Sequence, residues 1–241
     1  MFEKLPLPIK TALAWSVHLF TATGAVWGFL TVLAIFEQNW RAVIIWMIIA
    51  MFVDGFDGML ARWFHVKEYA KQVDGALLDN IIDYLNYVVV AAFILIKAPN
   101  LLPAGLEMAG AFSILLTSAY QFTQVDAKTD EQSFFFKGFP SVWNFLVIYM
   151  MLLGLNPWIN LALLVICNIL VFVPVKYLYP SRNTRLRRLT LGLTYLYGAI
   201  GVWALLQYPS VPQWILWISL VYVAYYALLS LFPRIGRVEP A

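Results

Sequence analysis

"DGFDGMLARWFHVKEYAKQVDGALLDNIIDYLNY", residues 54–87, carries Asp54, Asp57, Asp74, Asp79 and Asp83. Only Asp126 and Asp130 lie elsewhere in the chain. On both sides the sequence is strongly apolar. Carboxylates at or within a bilayer are expensive, so this stretch must do something that repays their retention.

The whole chain sets that problem. It has 241 residues, 62% hydrophobic and 12% charged, with ten Trp. A soluble domain is about half apolar and about a quarter charged. The composition therefore excludes an ordinary soluble globular protein and points to an all-α integral membrane protein. Its length suits one integral membrane domain over residues 1–241, with the acidic motif core at 54–83 and no second, soluble domain. The start, "MFEKLPLPIKTALAWSVHLF", has no short apolar run ending in a cleavage site and reads as mature sequence. A single cysteine, Cys167, excludes a disulfide framework within the chain and reads as a small buried hydrophobe.

A helical span needs about 20 mostly apolar residues. Eight candidates occur, near 12–36, 41–62, 75–97, 104–123, 140–155, 157–179, 188–208 and 212–232. "KAPNLLPAG", "GLNPW" and "YPSVPQ" supply turn chemistry between them. With a cytoplasmic N-terminus, fourteen of the sixteen Lys and Arg fall on inner segments, and only Arg41 and Lys97 fall outside. That bias predicts an even number of spans with both termini cytoplasmic. The run "RNTRLRR", Arg182 to Arg188, reads chiefly as an inside determinant, and it also suits anionic head groups.

The acidic stretch then covers the cytoplasmic end of the second span, a short basic loop and the cytoplasmic end of the third. Asp54 and Asp57 are three apart, and Asp79 and Asp83 four apart. On helices each pair shares one face, with Cβ atoms roughly 5–6 Å apart. The two helices are consecutive and antiparallel, so the pairs face one another. Such carboxylates need a cation to coexist as anions. Oxygen ligands without His or Cys select Mg²⁺ or Mn²⁺, and four of them suit two ions clamping a phosphoryl group. Gly55, Gly58 and Gly75 each cost about 1 kcal/mol in a helix, which suggests backbone approaching a ligand. Arg62, Lys67 and Lys71 are available to a phosphate. Asp74, just before Gly75, reads instead as a helix cap.

Taken together, "DGFDGMLAR" (54–62) and "GALLDNIID" (75–83) resemble the signature of the CDP-alcohol phosphotransferases, D-x-x-D-G-x-x-A-R followed by G-x-x-x-D-x-x-x-D. The resemblance implies a membrane-embedded helical core, two divalent ions, often a homodimer, and cleavage of a CDP-linked substrate. It implies metal binding by Asp54, Asp57, Asp79 and Asp83, with Asp83 also the general base. Gly58, Ala61, Arg62 and Gly75 would surround the nucleotide and its phosphates. Two features depart from the usual pattern. The gap from Arg62 to Gly75 holds twelve residues rather than eight, and there are eight candidate spans rather than six. Both resemble the bacterial phosphatidylcholine synthase branch, as do "SVHLFTATGA" (16–25), "DYLNY" (83–87) and "FFFKGFPSVWN" (134–144). That branch implies condensation of choline with CDP-diacylglycerol, release of CMP, a bacterial cytoplasmic (inner) membrane and an active site facing the cytoplasm.

His18 and Thr21, "HLFT", sit where other family members resemble "N-x-x-T" near the nucleotide. His18 is therefore either a nucleotide partner or a satisfied interhelical residue. His65 reads as a solvated loop residue. Choline is a quaternary ammonium, best held by aromatic faces. Tyr84, Tyr87, Tyr120, Phe139 and Trp143 are the aromatics expected near the active face. Asp126, Asp130 and Glu131 read as solvated loop acids. A cation transporter would also carry intramembrane acids, but these sit at one end of the helices, and no pair of broken helices recurs in two halves. A lipid-binding or structural membrane protein would not need four facing carboxylates. Within the enzyme class, serine, inositol, glycerol phosphate, or diacylglycerol with CDP-choline remain alternative reactants.

Overall fold

The computed structural model describes residues 2, 5–124, 135–173, 176–178 and 187–231. Apolar runs interrupted by Pro, Gly and Asn become helices in chain order: α1 (Leu7–Phe36), α2 (Trp40–Trp63), α3 (Val66–Tyr69), α4 (Gly75–Asp83) and α5 (Val90–Lys97). A π-helical segment, Tyr84–Val89, joins α4 to α5, so that Gly75–Lys97 is one continuous rod. Then come α6 (Glu107–Thr123), β1 (Phe135–Lys137), α7 (Trp143–Leu153), α8 (Pro157–Phe172), β2 (Lys176–Leu178), α9 (Arg187–Leu206) and α10 (Gln213–Leu231). Each of the eight apolar segments overlaps a helix or the joined rod, and four of these are long and apolar enough to cross a membrane.

Helix ends follow local chemistry. Asn39 accepts a hydrogen bond from the Ala42 N–H (3.2 Å) and starts α2. Asn156 accepts from the Trp158 N–H (2.9 Å) ahead of Pro157 and starts α8. Gly154, at φ +58°, closes α7.

Two boundaries differ from the sequence reading. The span expected to reach residue 179 stops at Phe172, because Val173 precedes Pro174 and is forced extended (φ −83°, ψ 124°). Beyond it, Lys176–Leu178 pairs antiparallel with Phe135–Lys137, so a three-residue strand pair amends the all-α expectation. The span expected from residue 140 begins at Trp143. Gly138 (φ +77°) presses against the Val171 carbonyl so closely that a Cβ would collide with it. The Phe139 N–H donates to Leu170 O at 2.9 Å, which pins this turn on the end of α8. Residues 125–134, the loop cations Arg182 and Arg185, and the terminal charges Lys4, Arg234 and Arg237 lie outside the described residues.

The main core joins six rods. Ile35, Ile44, Ile94, Ile114, Trp143 and Leu164 come from α1, α2, α5, α6, α7 and α8, and all are buried in one cluster. Cys167 is partly buried against it, as expected of a small hydrophobe. Outside, Leu19, Leu116 and Val221 are at least two-thirds exposed. α1, α2, Gly75–Lys97 and Arg188–Leu206 are long and apolar enough to cross a membrane, while α7, α8 and the Gln213–Leu228 part of α10 are shorter apolar segments. The chain is thus built as a multi-pass membrane protein.

α1 approaches the Gly75–Lys97 rod through glycines. A Cβ on Gly24 would run into Ile82, and one on Gly28 would lie 2.7 Å from Asn86 Oδ1 and 3.1 Å from Leu85. Asn86 Nδ2 donates to the Gly24 carbonyl (3.1 Å), so the close approach is also a polar clamp. Small residues let helix backbones meet where lipid supplies no hydrophobic drive for packing.

Candidate active site

The clamp sets where the carboxylates meet. Asp54 and Asp57 project from the last turns of α2, and Asp79 and Asp83 from α4. One oxygen of each of Asp54, Asp57 and Asp79 falls within 4.8 Å of the others. Asp57 is buried, and the other two are half-buried. Thr21, buried on α1, has its hydroxyl near Asp57. Tyr87 donates to Asp54 Oδ2 at 2.6 Å, a short charge-assisted bond. Asp83 lies one turn beyond Asp79. It lines a recess with Asp54, Asn86, Tyr87, Asn144, Met47, Ala50 and Met51. Of the four expected ligands, three therefore converge directly, and Asp83 shares the adjoining recess with Asp54.

Three carboxylates from two helices, one of them held by a phenol, fit a small divalent cation. The donors are hard oxygens, the set that Mg²⁺ and Mn²⁺ prefer.

Asp74 is the helix cap its sequence position implied. It accepts from the Ala76 and Leu77 N–H groups at 3.0 and 3.1 Å. The glycines divide by role. A Cβ on Gly55 would meet nothing within 4 Å, and one on Gly58 only the end of Arg62, at 3.6 Å. Both positions are open and exposed. Gly75 is packed more tightly, since a Cβ there would lie 3.1 Å from His18 Cε1. Ala61 is half-buried, and Arg62, Lys67 and Lys71 are exposed.

His18 is buried and bonded through Nε2 to the Ala70 carbonyl at 3.2 Å. A carbonyl only accepts, so Nε2 carries the proton. His18 fastens α1 to the α3 connection, with Thr21 one turn further along the same helix face. His65 is exposed, at φ +49°, with Glu68 3.8 Å away.

The five aromatics separate. Tyr87 touches the acids, and its ring stacks on Phe145 at 6.3 Å. Tyr84 turns away and donates to the Leu115 carbonyl on α6 (2.9 Å). Tyr120 lies against Phe172. Phe139 meets Trp143 edge-on at 4.9 Å, and Trp143 is fully buried with its indole N–H on Ser118 (2.6 Å). Trp143 and Tyr84 thus both spend their polar atoms on α6. Sequence reasoning passed over Asn86 and Asn144 as site residues, although both lie in stretches quoted above. Their signal was an amide side chain in an otherwise apolar span. The wider π turn at Tyr84–Val89, a geometry frequent at functional sites, adjoins both Asp83 and the recess.

The chain is similar to known proteins over most of its length. The family model for CDP-alcohol phosphatidyltransferases matches residues 16–174. The phosphatidylcholine synthase of Legionella pneumophila is 41% identical over 91% of this chain and 88% of its own length. That of Mesorhizobium japonicum is 40% identical over 85% of this chain and 77% of its own length. That of Rhizobium johnstonii is 36% identical over 98% of both.

Proposed function

The chain belongs to the CDP-alcohol phosphatidyltransferase family, and on that premise we propose that it is a phosphatidylcholine synthase, transferring the phosphatidyl group of CDP-diacylglycerol to choline with release of CMP. The observation that carries this reading is likeness over nearly the whole length to several phosphatidylcholine synthases, reaching past residue 174 where the family match ends.

Asp54, Asp57, Asp79 and Asp83 would hold two divalent ions, Mg²⁺ or Mn²⁺. When bound, these ions supply charge neutralisation for the diphosphate and its leaving group. The chain's own residues orient the reactants. Gly55 and Gly58 leave room for phosphate against α2, and Arg62 with Lys67 or Lys71 offsets the remaining negative charge. The alcohol oxygen of choline attacks the phosphorus that carries diacylglycerol, the anhydride bond to CMP breaks, and the hydroxyl proton passes to Asp83. Asp83 must lie within about 2.6–3.2 Å of that oxygen, or act through one water. An ordinary carboxylate is a weak base, so positioning carries most of the acceleration. Tyr87 offers an aromatic face beside the acids for the trimethylammonium group. Asn86 and Asn144 border the same recess.

The wider arrangement of this reading is a single domain of eight spans in a bacterial inner membrane, both termini and the acid site cytoplasmic, and a homodimer. The fourteen-to-two distribution of Lys and Arg supports the orientation. The test of function is to give purified protein CDP-diacylglycerol, Mn²⁺ and each labelled alcohol in turn, namely choline, serine, inositol and glycerol phosphate. CDP-choline with diacylglycerol forms a further arm. Label entering lipid from choline alone is the expected result, and preferential incorporation of another alcohol would replace the acceptor assignment.

A further inference from the structure

Asn144 is the second residue of α7 and only 7% exposed, yet it lines the recess that Asp54 and Asp83 share. The start of α7 is held on two sides. The Trp143 indole N–H donates to Ser118 Oγ on α6 (2.6 Å), and the preceding turn is pinned to the end of α8 through Phe139 and Gly138. Ser141, fully buried at φ +54°, completes that turn in the left-handed region, which is uncommon for residues other than glycine. Asn144 thus stands on a fixed element, as a group that orients a reactant should.

One bond decides which way its amide faces. The Phe145 N–H donates to Asn144 Oδ1 at 2.8 Å. An N–H bonds only to an acceptor, so the oxygen must face it, and the NH₂ is the end left over. Among the described residues nothing accepts from that NH₂. The other polar groups around the recess are committed or of the opposite kind. Asn86 spends both of its side-chain N–H groups, on the Gly24 and Ile82 carbonyls, each at 3.1 Å. Tyr87 spends its hydroxyl on Asp54. Asp54 and Asp83 only accept when ionised. The Asn144 NH₂ is therefore the one uncommitted side-chain donor among the residues that line the recess. A mostly buried donor without a partner lowers stability, so its retention implies a ligand.

The walls of the recess narrow the ligand. Asp57, Asp79, Arg62, Lys67 and Lys71 do not line it, so it lies apart from most of the groups that suit the diphosphate. Two carboxylates with no cation among the lining residues disfavour a second carboxylate or a phosphate, and suit an alcohol that carries positive charge.

We propose that Asn144 is a catalytic residue, donating through Nδ2 to the hydroxyl oxygen of the acceptor alcohol while Asp83 takes the proton from that oxygen. One lone pair of the oxygen meets Asn144, and another forms the bond to phosphorus as the bond to CMP breaks. The donated bond turns the nucleophile towards phosphorus and holds the negative charge that grows on it as the proton leaves. The inference rests on the proposed transfer to an alcohol, and it adds the group that holds the alcohol's oxygen.

The test uses full-length protein in detergent with Mn²⁺ and CDP-diacylglycerol. Ethyltrimethylammonium, which is choline without its hydroxyl oxygen, serves as the competitive inhibitor. Asn144→Ala removes the whole amide. Asn144→Asp keeps an oxygen for the Phe145 N–H and removes the NH₂, which guards against a merely misfolded Asn144→Ala. In Asn144→Ala, kcat/KM for choline should fall about tenfold to a hundredfold, while the inhibition constant of ethyltrimethylammonium and KM for CDP-diacylglycerol stay within about threefold. The added charge of Asn144→Asp acts on both cations alike, so the same gap between choline and its deoxy analogue is expected there. Equal weakening of choline and ethyltrimethylammonium would overturn the proposal, because Asn144 would then only shape the cavity. So would a rise confined to KM for CDP-diacylglycerol, or unchanged choline kinetics in a monodisperse variant. If the wild type incorporates another alcohol, the acceptor assignment fails by itself, and Asn144 is tested with that alcohol and its deoxy counterpart.

Discussion

Tyr87→Phe isolates one bond in the site. The ring stays, with its stacking on Phe145, and only the hydroxyl that donates to Asp54 Oδ2 at 2.6 Å is lost. That hydroxyl fixes the rotamer of a half-buried carboxylate and leaves its other oxygen free for a cation. A hydrogen bond to a charged group contributes about 1.5–3 kcal/mol, and loss of such a support commonly lowers metal affinity about 10–100-fold. Because the other acids are untouched, the lower end of that range is expected. The midpoint of Mn²⁺ activation, followed by CMP release at saturating substrates, should therefore rise about tenfold. Saturating Mn²⁺ should restore kcat to within about threefold. KM for choline should barely move, because the phenyl face survives. Tyr87→Ala should by contrast raise both, since face and bond go together. An activation midpoint unchanged in Tyr87→Phe would refute the idea that this bond orients a metal ligand.

Single replacement of Asp57 or Asp79 by Ala should lower CMP release by at least about a thousandfold while the protein stays monodisperse, the scale expected when charge stabilisation is removed from the reacting centre. Ordinary activity in Asp79→Ala would end the metal-site assignment. Asp74→Ala should leave turnover within a few-fold and lower stability by about 1 kcal/mol, read as a fall in melting temperature, because it removes only a cap. Gly28→Ala should destabilise by about 1–3 kcal/mol, as its Cβ would sit 2.7 Å from Asn86 Oδ1, whereas Gly55→Ala should fold normally and lose activity. On a Cys167→Ser background, impermeant maleimide added to intact cells should label Ala104→Cys and spare Gln72→Cys. The reverse pattern would invert the topology.

The helical rods were legible because a membrane span writes its length directly into apolar runs, and because Pro, Gly and Asn mark the ends. The acid pairs were legible because spacings of three and four fix a common helix face whatever the tertiary structure. Asp74 was readable as a cap from its place before a helix. Other features depend on packing that no local pattern encodes. Apolar residues run on past Phe172, but Pro174 forces Val173 extended and ends the helix there. Tyr84 and Tyr87, three apart, look like partners on one face. The wider π turn and the Leu115 carbonyl on α6 send Tyr84 elsewhere. Gly75 looked like a ligand position, and its close packing against His18 was hidden because His18 lies 57 residues away in sequence. Asn86 was hidden for the same reason, since its partner Gly24 is remote along the chain.

The link between Arg62 and Gly75 folds back as α3, whose Val66 joins Ala70, Ala14 and Val17 in a small buried cluster, with the His18 imidazole bonded to Ala70. That seat makes the link's length something the sequence cannot vary freely. Trimming it to eight residues would uncover Ala14 and Val17 and orphan a buried imidazole donor. Insertions and deletions there would have to be accompanied by changes in side-chain size at positions 14 and 17 and in polarity at position 18. A residue-by-residue comparison of long-link and short-link branches should therefore show covariation between that link and the start of the first helix.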